Sequence, residues 1–125
     1  MKKDINVLVV DDSPFVFKAV KRSLEAKGLN VIGNARNGKI GLELIEKYNP
    51  DLITLDVTMP VMDGIETAKN IYKKNPEAKV IMMSAMGDEA LIGEAREIGI
   101  DHFIHKPFKG DMLFSKVKEM FGDDI

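Results

Sequence analysis

Residues 5–12 read INVLVVDD, and the way this run is taken decides the fold. Ile5–Val10 is short, rich in valine and nearly continuously apolar, and Asp11-Asp12 stops it. β-Branched residues suit a pleated strand, and an apolar run with little alternation suits a strand covered on both faces. The run is far too short to cross a bilayer and has no small-residue cleavage site after it, so it is neither a membrane span nor a secretion signal. A strand covered on both sides requires helices above and below the sheet it joins.

Outward from that strand the same alternation repeats about five times. Ser13-Pro14 predicts a helix start, with Ser as N-cap and Pro in the first turn. Phe15, Val16, Ala19, Val20 and Leu24 mark its inward face, and Gly28 follows its end. Asn30–Ala35 reads as the second strand. Gly38–Tyr48 reads as a helix with apolar residues at Ile40, Leu42, Leu44 and Ile45, ended by Asn49-Pro50. Leu52–Leu55 is the third strand and runs into Asp56; Thr58–Gly64 is a loop, and Ile65–Lys74 a helix with Ile65, Ala68, Ile71 and Tyr72 inward. Lys79–Met83 is the fourth strand and leads into Ser84. Asp88–Ile98 is a helix with Asp88 as N-cap and Gly99 as stop, and His102–Ile104 is the fifth strand. After Pro107 the last helix covers Asp111–Phe121, with Met112, Val117 and Met120 buried, before a frayed acidic tail, Gly122–Ile125. Strict alternation predicts parallel strands with helices on both faces and right-handed crossovers. The expected fold is α/β, a flavodoxin-like, doubly wound, five-stranded parallel sheet with five helices. Its order, 2-1-3-4-5, is taken over from that class of sheet and not deduced from the residues.

The 125 residues make one domain, 1–125, with no repeat, low-complexity tract or interdomain linker. The 18 basic and 20 acidic residues give a net charge of −2, which supplies no basic face for nucleic acid. There is no cysteine, so disulfides, thiolate metal sites and thiol catalysis are excluded together, and a cytoplasmic setting fits. No GxGxxG and no GxxxxGK[ST] occurs, which disfavours nucleotide binding.

In a parallel sheet all strands end at one edge, where ligands bind. Strand one delivers Asp11 and Asp12 there, strand three Asp56, strand four Ser84 and strand five Lys106. Two unit charges about 4 Å apart repel by roughly 4 kcal/mol at an effective dielectric near 20, so three crowded aspartates take up protons or bind a cation. Oxygen ligands without cysteine favour a hard ion, and Mg²⁺ leads because it accepts a few carboxylates, waters and a phosphoryl oxygen. Ca²⁺ would need more ligands than these strand ends provide. Lys106 and Ser84 make sense if an anion joins the metal, since an ammonium and a hydroxyl both hold phosphoryl oxygens. Asp56 is the central nucleophile, and carboxylates do form aspartyl phosphates.

With these residues in view the chain resembles the response-regulator receiver family over about residues 5–121. The matching pieces are Val9-Val10-Asp11-Asp12, Leu55-Asp56-Val57-Thr58-Met59-Pro60, Val61-Met62-Asp63-Gly64, Ser84-Ala85 and Lys106-Pro107-Phe108. Each piece alone is common; all of them in order at the family's spacing are specific. The resemblance implies that Asp56 accepts a phosphoryl group from a histidine kinase. It implies that Asp12, Asp56 and the Thr58 carbonyl hold Mg²⁺ directly and Asp11 through water, and that Ser84 and Lys106 bind the phosphoryl group. It further implies a cis Lys106-Pro107 bond, an aromatic switch at Phe103, and tuning of water access by Thr58 and Met86. Thr58-Met59-Pro60 and Ser84-Ala85-Met86-Gly87 look like the stand-alone chemotaxis subgroup, whose partner is a flagellar motor switch. Two departures matter. Phe103 stands where the family often has Tyr, so its inward position must rest on packing, and Ser84 replaces the commoner Thr while keeping the hydroxyl.

Taken singly these residues have plainer readings: Asp11-Asp12 as a strand-ending turn, Asp56 as a loop acid, Ser84 as a strand-end hydroxyl, Lys106 as surface charge, Phe103 as core. Met82, Met83 and Met86 read as core or gap filling, and His102 and His105 as structural or surface residues. A haloacid-dehalogenase-like phosphatase would want a second Asp where Thr58 stands. A flavodoxin-like cofactor binder would have to seat a flavin phosphate against Asp11-Asp12. A phosphorelay intermediate, or a receiver trimmed from a transcription factor, shares every motif above, and no effector domain is encoded in these residues.

Overall fold

The computed structural model describes residues 4–122, so residues 123–125 of the acidic tail lie outside the described residues, as do 1–3. The element order is β1 (Asn6–Val10), α1 (Pro14–Glu25), β2 (Asn30–Ala35), α2 (Gly38–Tyr48), β3 (Leu52–Asp56), α3 (Gly64–Lys74), β4 (Val80–Ser84), α4 (Glu89–Glu97), β5 (His102–His105) and α5 (Gly110–Phe121). All strand pairs are parallel, and the order is β2-β1-β3-β4-β5. The chain therefore winds from β1 to one side, then returns to β1's other side and continues outward. The place where that direction reverses is the crevice between the ends of β1 and β3.

The central strands are buried along almost their whole length, which is why their sequences read as runs and not alternations. Alternation survives in which layer each side chain enters. Val7, Val9, Leu52, Ile81, Met83 and Ile104 pack under α1 and α5. Leu8, Val10, Ile53, Leu55, Val80 and Met82 pack under α2, α3 and α4. A one-residue slip of any strand would exchange the two sets, so burial fixes the register. No helix among the described residues is long and apolar enough to cross a membrane.

Five side-chain expectations are corrected. Phe15 is 81% exposed and Ala19 is exposed as well; α1 presents Val16, Phe17, Val20 and Leu24 to the sheet instead. The apolar residues of α1 cover more than one face, and the helix's rotation is set by what α5 and the sheet leave open. In α5 the buried positions are Leu113, Val117 and Phe121, with Met120 half-buried, while Met112 is 53% exposed. Asp88 precedes α4 without capping it: its carboxylate accepts a hydrogen bond from the Ala85 N–H at 2.7 Å, closing the loop behind it. Met82 and Met83 are core, but Met86 is 89% exposed and fills nothing.

Candidate functional site

Asp11 is the first residue past β1. Its N–H donates to the Ala35 carbonyl at 2.9 Å, which carries the sheet pairing one step beyond the strand and turns the side chain inward. The carboxylate is 1% exposed; one oxygen accepts from the Ser13 N–H at 2.9 Å and so shapes the entry to α1. Ser13 in turn caps α1 by accepting from the Val16 N–H at 3.3 Å. Asp12, next in the chain, is exposed. Asp56 closes β3 and is 7% exposed. The backbone behind it is pinned from both sides, by Val57 N–H to the Met83 carbonyl at 3.0 Å and Gly64 N–H to the Val57 carbonyl at 2.9 Å. Gly64 is required there: a Cβ on it would lie 2.2 Å from the Asp56 carbonyl oxygen. α3 starts at Gly64, one residue before the Ile65 expected from the sequence, and the glycine after Asp63 is the one sequence signal of this contact.

The sequence-predicted acids converge. Asp11, Asp12 and Asp56 each offer an oxygen within 4.8 Å of the others. Lys106, half-buried past β5, places its Nζ 3.0 Å from Asp11 Oδ2 and 3.2 Å from Asp56 Oδ1. The Lys106-Pro107 bond is cis, and the Lys106 N–H donates to the Ser84 carbonyl at 2.7 Å. That bond ties the lysine's backbone to the serine at the buried end of β4. Thr58 is exposed in the β3–α3 loop, its N–H donating to Asp56 Oδ1 at 3.4 Å. Phe103 and Met86 are not in this cluster: Phe103 is half-buried on β5 against the α2–α4 layer, and Met86 lies in the exposed β4–α4 loop.

The charges explain what the pocket can do. Burial, and then the charge of Asp11, push the Asp56 carboxyl up to about 6; Lys106 and the Thr58 N–H pull the other way and do not prevail. For Lys106, burial works to lower the ammonium's pKa, but hydrogen bonding and charge from Asp11 and Asp56 outweigh it and hold it above its ordinary value. Among the described residues one lysine thus answers three clustered carboxylates, and the pocket remains short of positive charge. The donor set is all carboxylate oxygen, with an exposed member at the mouth, and this fits a hard divalent ion such as Mg²⁺.

Comparison with known proteins gives a consistent result. A family model described as the response regulator receiver domain matches residues 7–118. The chemotaxis protein CheY of Bacillus subtilis (strain 168) is 37% identical over 113 residues, covering 90% of this chain and 94% of that protein. In the CheX-CheY-BeF3-Mg²⁺ complex from Borrelia burgdorferi, a chain 37% identical superposes with a TM-score of 0.87, covering 94% of this chain and 89% of that one. NtrX from Brucella abortus superposes with a TM-score of 0.89 at 28% identity; the match covers 98% of this chain but only 28% of NtrX.

Proposed function

This chain belongs to the response regulator receiver domain family and is CheY-like within it, and from that premise we propose a phosphorylation-operated switch whose phosphoacceptor is Asp56. The observation that carries the reading is the convergence of Asp11, Asp12 and Asp56 within 4.8 Å, with Lys106 at 3.0 and 3.2 Å from two of them. A carboxylate oxygen of Asp56 attacks the phosphorus of a phosphohistidine on a histidine kinase. The P–O bond forms, the P–N bond breaks, and the departing imidazole keeps the electron pair and takes a proton from water. Asp12, Asp56 and the Thr58 carbonyl would hold Mg²⁺ directly and Asp11 through water, and the ion would supply positive charge that offsets repulsion between the pocket and the phosphoryl oxygens. Lys106 exchanges its bond to Asp56 for one to a phosphoryl oxygen, and the Ser84 hydroxyl donates to another.

Ser84 then moves toward the phosphoryl group, and Phe103 moves into the space it leaves. Parallel register and side-chain alternation support that link, because Ser84 follows Met82 on the face where Phe103 packs. The surface of α4, β5 and α5 changes with it, and an effector protein reads the change, a two-state equilibrium biased by local charge. Thr58 and Met86, both exposed on loops at this edge, set water access and so the lifetime of the phosphorylated state. The chain is a phosphoacceptor and not a turnover enzyme, acting in the cytoplasm as one receiver domain over residues 1–125. Its likeness to chemotaxis proteins supports a role in chemotaxis, and the effector we assign to it is a flagellar motor switch.

The test is phosphate uptake from acetyl phosphate with Mg²⁺ present, which Asp56→Asn should abolish; uptake persisting at the wild-type level would overturn the assignment. Lys106→Ala should still take up some phosphate while losing the response of the effector surface. Pull-down with and without beryllofluoride identifies the effector.

A further inference from the structure

Phe103 lacks the hydroxyl that would give a switch aromatic a hydrogen bond, so something else must decide where its ring rests. It sits on β5, the edge strand beside β4, and packs half-buried beside the α2–α4 layer. The Arg96 guanidinium lies over the ring, 5.3 Å from its centroid. Arg96 is in the last turn of α4, where a cation also complements the helix's negative end.

The backbone between the two residues is not free to drift. Gly99, with φ +109°, stands just past α4. Its N–H donates to the Arg96 carbonyl at 3.1 Å, and the Ile100 N–H donates to the Ala95 carbonyl at 3.1 Å. This is the paired closure of a Schellman motif, and its apolar partners, Ala95 and Ile100, are both fully buried. The end of α4 and the start of β5 therefore form one fixed corner, and Arg96 is held opposite Phe103. Among the described residues Arg96 makes no ion pair that would draw the guanidinium away from the ring.

We infer that Arg96 is a positioning residue that holds Phe103 in its resting place by a cation–π contact and so sets how readily the switch moves. The inference rests on the reading of Phe103 as the switch residue given above. An inward ring would leave the guanidinium and forfeit the contact. At a solvent-facing site that contact changes an equilibrium by roughly two- to fivefold, the equivalent of about 0.5–1 kcal/mol at about 1.4 kcal/mol per tenfold. A phosphoryl mimic that binds the inward state must work against that factor, so removing it lowers the amount of mimic needed by the same ratio.

The experiment is a beryllofluoride titration with saturating Mg²⁺, followed on the ring resonance of Phe103 by NMR, for wild type, Arg96→Met and Arg96→Lys. Methionine keeps the apolar stem without the charge, and lysine keeps a cation. Half-conversion should need two- to fivefold less beryllofluoride in Arg96→Met, with Arg96→Lys close to wild type. Equal midpoints for wild type and Arg96→Met would overturn the inference, and so would Arg96→Lys behaving like Arg96→Met. A wild-type Phe103 resonance that stays still while resonances around Asp56 shift would instead sink the switch reading, and this inference with it.

Discussion

Replacing Asp56 by Asn keeps the shape of the phosphoacceptor and removes its charge, which exposes what the folded chain pays to keep that charge buried. The Asp56 carboxyl is raised from 3.8 to about 6, by burial first and by Asp11 second. The folded state therefore binds this proton more tightly than the unfolded chain does. For a raised carboxyl, stability is intact below about pH 4, declines as pH rises between about 4 and 6, and has lost the full contribution above that. At about 1.4 kcal/mol for each tenfold in proton affinity, the gap from 3.8 to about 6 is worth at most about 3 kcal/mol. Asparagine cannot ionise and escapes the penalty. Urea unfolding of Asp56→Asn and wild type at pH 4.5 to 8 should give curves that converge at the acid end and separate with rising pH. At pH 7.5 the variant should be roughly 1–3 kcal/mol more stable. Mg²⁺ tenfold above its dissociation constant should restore about 1.4 kcal/mol to the wild type at pH 7.5 and little to the variant. Parallel curves across the whole range, or equal Mg²⁺ stabilisation of both proteins, would refute the claim that Asp56 is held charged against its surroundings.

Three further substitutions test the pocket's frame. Lys106→Met leaves Asp11 and Asp56 without their ammonium, and at pH 7.5 it should cost about 2–4 kcal/mol in urea unfolding, part of it recovered by Mg²⁺. Gly64→Ala would set a Cβ 2.2 Å from the Asp56 carbonyl oxygen and 2.7 Å from Val57 Cα. Because backbone cannot yield cheaply, a loss of at least about 3 kcal/mol is expected, read as a lower thermal midpoint. Val61 has φ +69°, and the Met62 N–H reaches back to the Pro60 carbonyl at 2.7 Å, which makes Val61 the centre of a strained γ-turn. Its side chain is 79% exposed, so Val61→Gly gives up little burial. The variant should match or exceed wild-type stability by up to about 1 kcal/mol; a clear loss would show that the side chain matters more than the strain.

Periodicity and punctuation locate all ten elements of the described residues to within a residue or two, because short apolar runs such as Ile5–Val10 and Val80–Met83 suit covered strands. The convergence of Asp11, Asp12, Asp56 and Lys106 was equally legible, since parallel strands must all end at one edge. Side-chain fates within an element were another matter. Phe15 and Met112 are apolar and lie on helices, yet they are exposed, because a helix's rotation is fixed by the neighbours it packs against and not by its own composition. Asp88 has the right type and place for an N-cap but serves Ala85, because the loop before it offers a competing donor. Arg96 reads as an ordinary basic residue in a helix's last turn, and only the corner at Gly99 brings it over Phe103. Local hydrophobic pattern and chain direction thus set the layers, the strand ends and the residues gathered there. Tertiary structure alone decided which oxygens meet Lys106, how far burial raises Asp56 and what rests on Phe103, since each depends on distances between segments that no local pattern encodes.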